Sequence, residues 1–206
     1  MKKLVIGTFL IFCSIYGFSQ FVEVTPLTGY TFSGDIDAYY GKYDIKNALL
    51  YGARLDVEVV DYSYVEISWR RNDPLLGYLP SGSGNAVNYN SAVSHYMAGF
   101  LREFSQGKIK PYGLISAGLS YYRVKETWDY SKWFFSTEFG LGAKMYFSET
   151  VGLRLQAAVT TPWDFAGGGM YWGIGTGGAG ASADMSFNIP VAHWDLSAGL
   201  IIRLKN

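Results

Sequence analysis

A chain of 206 residues is enough for one domain and hardly for two. Lys plus Arg and Asp plus Glu number 17 each, so no net field draws the chain to nucleic acid. Charged residues reach only 17% and aromatics also 17%, against a usual charged share of about 25%, which marks much surface not made for water.

The N-terminus reads as a secretory signal peptide over residues 1–19. Lys2 and Lys3 form a basic start, Leu4 to Phe12 is an uncharged apolar run, and Gly17 and Ser19 sit at the small-residue positions of a cleavage site. The apolar run falls well short of the ~20 residues a spanning helix needs. Phe12 is too bulky to precede a lipidated Cys13. A mature chain from Gln20 to Asn206 then has no cysteine, and an exported domain without disulfide staples fits a closed hydrogen-bond ladder in lipid.

From there on the recurrent signal is period two, the mark of a strand with two unlike faces. The first segment is Phe21–Phe32. Tyr51, Ala53, Leu55 and Val57 then oppose Gly52, Arg54, Asp56 and Glu58, and Val65, Ile67 and Trp69 oppose Glu66, Ser68 and Arg70. Ser91–Phe104 and Ile109–Arg123 follow as weaker segments. In Phe135–Phe147 an apolar set of Phe135, Phe139, Leu141, Ala143, Met145 and Phe147 alternates with Ser136, Glu138, Gly140, Gly142, Lys144 and Tyr146. Val151, Leu153, Leu155, Ala157 and Val159 alternate with Gly152, Arg154, Gln156 and Ala158. The last segment is the clearest: Trp194, Leu196, Ala198, Leu200, Ile202 and Leu204 oppose Asp195, Ser197, Gly199, Ile201 and Arg203. Pro26 and Pro111 lie close to strand starts, where a missing donor is tolerated.

Short connections near Val59–Tyr62, Ser105–Lys108 and Ser148–Thr150 alternate with long ones near Ser33–Asp44, Arg71–Asn90, Val124–Trp133 and Thr161–Asn188. Alternation of this kind predicts tight turns at one end of a membrane barrel and long loops at the other, with an even strand number. The expected fold class is all-β: a closed antiparallel up-and-down transmembrane β-barrel of about eight strands, spanning residues 20–206.

A soluble barrel with an apolar pocket would alternate in the same way, with its apolar face turned inward. Three features favour an outward apolar face. It carries almost no charge, and a Lys or Arg there would cost ~2–4 kcal/mol at the bilayer midplane. Aromatics gather near strand ends, at Trp69, Phe104, Phe135, Phe147, Trp163 and Trp194, as girdles at headgroup depth do. The polar faces mix Gly, Ala and Ser with both signs of charge, as a narrow filled interior would. That interior is expected to hold Arg54, Asp56, Glu58, Glu66, Arg70, Glu103, Glu138, Lys144, Arg154, Asp195 and Arg203 as an internal plug of ion pairs.

The chain resembles the small outer-membrane β-barrels of Gram-negative bacteria, the eight-stranded OmpA/OmpX-like type. The residues that carry the resemblance are Glu23–Thr25 with Pro26 and Gly29–Tyr30, Val65–Trp69 with Arg70, Lys110–Pro111–Tyr112 after the Gln106–Gly107 turn, and the closing Leu196–Leu204 strand. It covers nearly the whole mature chain and rests on patterns more than signatures. It implies an outer-membrane location, contact with outer-membrane lipid, and insertion by the barrel-assembly machinery. The chain departs from members that close on a terminal Phe or Tyr, since it ends Leu204–Lys205–Asn206.

No catalytic, cofactor-binding or metal-ligating set emerges. His95 and His193 are the only histidines. Some barrels of this kind hydrolyse lipid acyl chains with a His and a nearby Ser. Ser94 adjoins His95, but neighbouring strand residues point to opposite faces. Ser197 lies four residues after His193, and no spacing here ensures the ~2.6–3.2 Å contact between nucleophile and base. The glycine-rich stretch Gly167–Gly169 and Gly173–Gly180 neither follows a buried parallel strand nor opens a helix, so it reads as an outer loop rather than a phosphate cradle. Asp35, Asp37 and Asp44 lack the spacing of a calcium loop. Tyr39, Tyr40, Tyr78, Tyr89, Trp128, Tyr130, Tyr171 and Trp172 decorate the outer loops and suit either a surface partner or lipid headgroups. The function expected is therefore a non-enzymatic structural or surface-interaction role, with a barrel-embedded lipid-modifying hydrolase or a small diffusion pore as alternatives.

Overall fold

A computed structural model describes residues 21–32, 35–38, 41–80, 87–124, 130–165, 173–175, 178–180, 187–188 and 192–204. The predicted signal peptide lies outside them. Eight long strands among these residues make the barrel: β1 (Val22–Phe32), β2 (Ala48–Val60), β3 (Ser63–Asn72), β4 (Val87–Glu103), β5 (Ile109–Val124), β6 (Tyr130–Tyr146), β7 (Val151–Phe165) and β8 (His193–Leu204). Each pairs antiparallel with the strand before and after it in sequence. Pairing of β1 with β8, from Val22↔Leu204 to Phe32↔Trp194, closes the ring and leaves the barrel wall without a free edge.

Local chemistry sets the details. On its β8 side the β1 ladder skips Thr25 and Pro26, where the proline has no amide hydrogen to donate. The β2–β3 turn is tight: the register shifts between Glu58 and Val60, and Tyr62 adopts a left-handed φ of 63°. Its amide donates to the Glu58 carboxylate at 3.2 Å, and its carbonyl accepts from the Glu103 amide at 2.8 Å. Turns at 104–108 and 147–150 lie at the same end as both termini of the barrel, and the long connections lie at the other.

Three of the predicted long loops carry strands of their own. Asp35–Ala38 pairs with Gly41–Ile45, which pairs with Leu75–Pro80, which pairs with the first residues of β4. The first two outer connections thus extend the barrel wall beyond the rim, as a sheet rather than as loops. In the last connection Gly173–Gly175 and Gly178–Gly180 pair as a short hairpin, and Phe187–Asn188 pairs with the end of β7.

The outward orientation of the apolar faces is borne out. Leu196, Leu200 and Phe139 are exposed at 54%, 47% and 57%, and Leu153 is half-buried, while Arg54, Glu66, Arg70, Glu138 and Lys144 are buried to 2% or less. A soluble fold would bury the first set and expose the second. An inverted pattern of this extent is stable only where the outside medium is hydrocarbon. Trp69, Phe104, Phe135, Phe147 and Trp194 are exposed at the strand ends, as expected, while Trp163 is half-buried and donates to Thr137 Oγ1 at 2.9 Å. The outer girdle is fuller than the sequence suggested: edge-on pairs Tyr30–Phe32 and Tyr51–Trp69 and the cluster of Tyr96, Tyr121 and Trp133 belong to it.

Candidate functional site

Alternation turns every second side chain of eight converging strands into the lumen, and these side chains meet in three tiers. Nearest the turn end, Glu23 of β1 accepts from Lys144 Nζ and Tyr146 OH, each at 2.7 Å, and from Arg203 Nη2 at 2.6 Å. Lys144 also pairs with Asp56 at 3.0 Å and stands over the Tyr64 ring, and Lys110 pairs with Glu103 at 2.9 Å. Beside them Tyr64, Leu101, Tyr112 and Leu114 form a small apolar cluster inside the wall.

The middle tier centres on Arg154. Its guanidinium donates to Asp56 at 3.0 Å, Glu66 at 2.6 Å, Gln156 Oε1 at 2.7 Å and the Tyr112 phenol at 2.8 Å. Arg54 donates to the other Glu66 oxygen at 2.5 Å and reaches Glu138 at 3.5 Å. In the outer tier Arg70 pairs with Glu138, with Asp195 at 2.6 Å and with Thr160 at 3.2 Å, and Asp195 accepts from Thr31 at 2.7 Å. One unbroken path therefore runs the length of the lumen: Glu23, Lys144, Asp56, Arg154, Glu66, Arg54, Glu138, Arg70, Asp195 and Thr31. Both signs of charge alternate along it, which is what lets so many ions be buried together.

Ten of the eleven side chains expected in the interior take part in this network; Glu58 lies half-buried at the β2–β3 turn instead. Sequence reasoning missed Glu23, although it stands between Val22 and Val24 in an alternating run. Lys110, which pairs with Glu103, lies on a strand whose alternation in sequence is weak.

Both histidines face the lumen near the outer end. His95 Nδ1 lies 2.6 Å from Ser120 Oγ, which lies 2.6 Å from Ser136 Oγ, and His193 Nε2 lies 2.7 Å from the Tyr122 phenol. The two imidazole rings stand 6.1 Å apart. The hydroxyl beside His95 thus comes from across the sheet and not from Ser94, its neighbour in sequence. A His–Ser pair exists, but Ser120 and Ser136 have no exposed surface and His95 only 1%. The described side chains contain no cluster of three metal-ligating groups. Asp35, Asp37 and Asp44 lie on paired strands outside the barrel wall, with side chains outside the described residues.

No family model matches the chain, and no curated protein matches it by sequence. Solved structures do match it. Neisserial surface protein A is 12% identical, with a TM-score of 0.57 over 91% of this chain and 98% of that one. The outer membrane protein OprG from Pseudomonas aeruginosa is 10% identical, with a TM-score of 0.57 over 91% and 97%. The fold is that of the small outer-membrane barrels. Identity this low carries the architecture and nothing about ligands; the OmpA/OmpX-like resemblance holds at the level of strand number, closure and face pattern.

Proposed function

We propose that the protein is a non-enzymatic outer-membrane barrel whose wall serves as a rigid membrane anchor for its four outer connections, which carry a structural or surface-interaction role. The observation that carries this reading is the unbroken ion-pair path through the lumen. It fills the space a solute would need, as eight strands leave an interior that side chains just fill. His95 and Ser120 are buried on the lumen side of the wall, away from its lipid face, which does not suit hydrolysis of a membrane acyl ester. The sheet built from Asp35–Ala38, Gly41–Ile45 and Leu75–Pro80 extends the first two outer connections beyond the rim, and the Tyr and Trp content of the outer connections in the sequence suits a protein or glycan partner. Export by a signal peptide cleaved before Gln20 and insertion by the barrel-assembly machinery complete the proposal.

The test is reconstitution of the purified barrel into planar bilayers and phospholipid vesicles. The expected results are no stepwise conductance and no release of fatty acid. Steady channels in the wild type would establish the diffusion-pore reading instead. Fatty-acid release abolished by Ser120→Ala would establish the hydrolase.

A further inference from the structure

The lipid-facing wall is not evenly corrugated. A concavity of about 880 Å³ crosses strands β4 to β8, within the ~300–1,000 Å³ range of ligand sites. Small residues Gly113 and Ala157 line it beside Phe100, Phe104, Phe139 and Leu141, each of these four more than half exposed, and the Phe104 ring packs over Gly113 while Ala157 is left low between its neighbours. Its lining residues step across the strands: Arg102 is registered beside Gly113, Gly113 beside Leu141, and Leu141 beside Ala157. Each of these residues lies further from the turn end of its strand than the one before, so the groove climbs obliquely toward Trp194 near the outer rim.

Arg102 stands at the foot of this groove, one residue from the turn end of β4. It is exposed, and its guanidinium donates to Ser63 Oγ and to the Asp61 carbonyl, both neutral acceptors. Arg71, another arginine on the outward face, lies at the opposite end of the wall and is paired with Asp73 at 2.8 Å. A guanidinium fixed at headgroup depth without a carboxylate is matched by a phosphate, which accepts its remaining donors. A flexible acyl chain laid from the Phe104 ring past Leu141 and over Ala157 meets the exposed carbon of Phe100, Phe139 and Leu141 and gains more dispersion contact than on a convex wall. We propose that this groove seats an acyl chain of one anionic diacyl glycerophospholipid from the leaflet at the turn end, with its phosphate on Arg102. The inference rests on the apolar exterior facing lipid.

The experiment is native mass spectrometry of the full chain refolded in detergent, after addition of dioleoyl phosphatidylglycerol or dioleoyl phosphatidylcholine. Far-UV circular dichroism beside it establishes that each sample is a β-barrel; a wild type that fails this check indicts the barrel reading and not the groove. The folded wild type should retain one phosphatidylglycerol in preference to phosphatidylcholine. Arg102→Gln should lower that retention roughly tenfold, the loss of a charge-assisted contact. Ala157→Phe, which fills the groove without touching the charge, should do the same, and Arg123→Gln near the outer rim should not. Equal retention of both lipids by the wild type, or equal retention by all folded variants, would overturn the proposal.

Discussion

Arg154 shows why the lumen is sensitive to single changes. It has four partners from β2, β3, β5 and β7, so Arg154→Ala removes one of the two cations held by each of the buried carboxylates Asp56 and Glu66, leaving Lys144 on the first and Arg54 on the second. Breaking a buried pair in this way costs about 3–5 kcal/mol. Lys108→Ala in the exposed β4–β5 turn should stay within about 0.5 kcal/mol. Leu155, next to Arg154 and 42% exposed on the other face, should fail for a different reason. Leu155→Lys puts a charge into hydrocarbon, at about 2–4 kcal/mol near the midplane. Refolding each variant into vesicles across a urea series, read by tryptophan fluorescence, should rank Arg154→Ala and Leu155→Lys far below Lys108→Ala; a tolerant Arg154 would mean that the network contributes little. At this scale most interior charges were legible, because each sits between apolar neighbours in an alternating run. Partner identities were not. Ser120 is 25 residues from His95, and only strand pairing brings them together.

Among the strands, glycine does specific work where neighbouring backbones press together. A Cβ at Gly52 would fall 2.8 Å from Arg70 Cα, and one at Gly118 would fall 2.8 Å from Met97 Cα. Backbone cannot yield as a side-chain end can, so Gly52→Ala and Gly118→Ala should shift the wall locally and lower the urea midpoint. Gly107→Ala in an open turn, with nothing nearer than 3.6 Å, should not. The check is the same urea series, and a reversed order would show that the β2–β3 and β4–β5 contacts are looser than described. Alternation made the long strands readable, and the best of them, β8, was also the clearest in sequence. The short strands in the first two outer connections gave no such signal. Gly41–Ile45 is held by Leu75–Pro80, more than thirty residues away, and that pairing is decided by the register of β4 rather than by local pattern.

For the whole molecule, closure and an inverted surface determine where the protein can exist. The chain should stay with the membrane fraction through salt washes and leave it only in detergent; release by salt would contradict a spanning barrel. Mass analysis of the exported product should place its first residue near Gln20. The central claim, that one face of every strand meets hydrocarbon and the other a packed lumen, is tested most directly by spin labels. Single cysteines placed in turn from Trp194 to Leu204, on a Cys13→Ser background, would carry a nitroxide after reconstitution in vesicles. Labels at positions 194, 196, 198, 200, 202 and 204 should be open to oxygen, which dissolves in hydrocarbon, and shielded from a water-soluble nickel chelate. Labels at 195, 197, 199 and 201 should be immobile and shielded from both. The account predicts that period-two alternation in that phase; the opposite phase, or chelate access at 195, 197, 199 and 201, would contradict it.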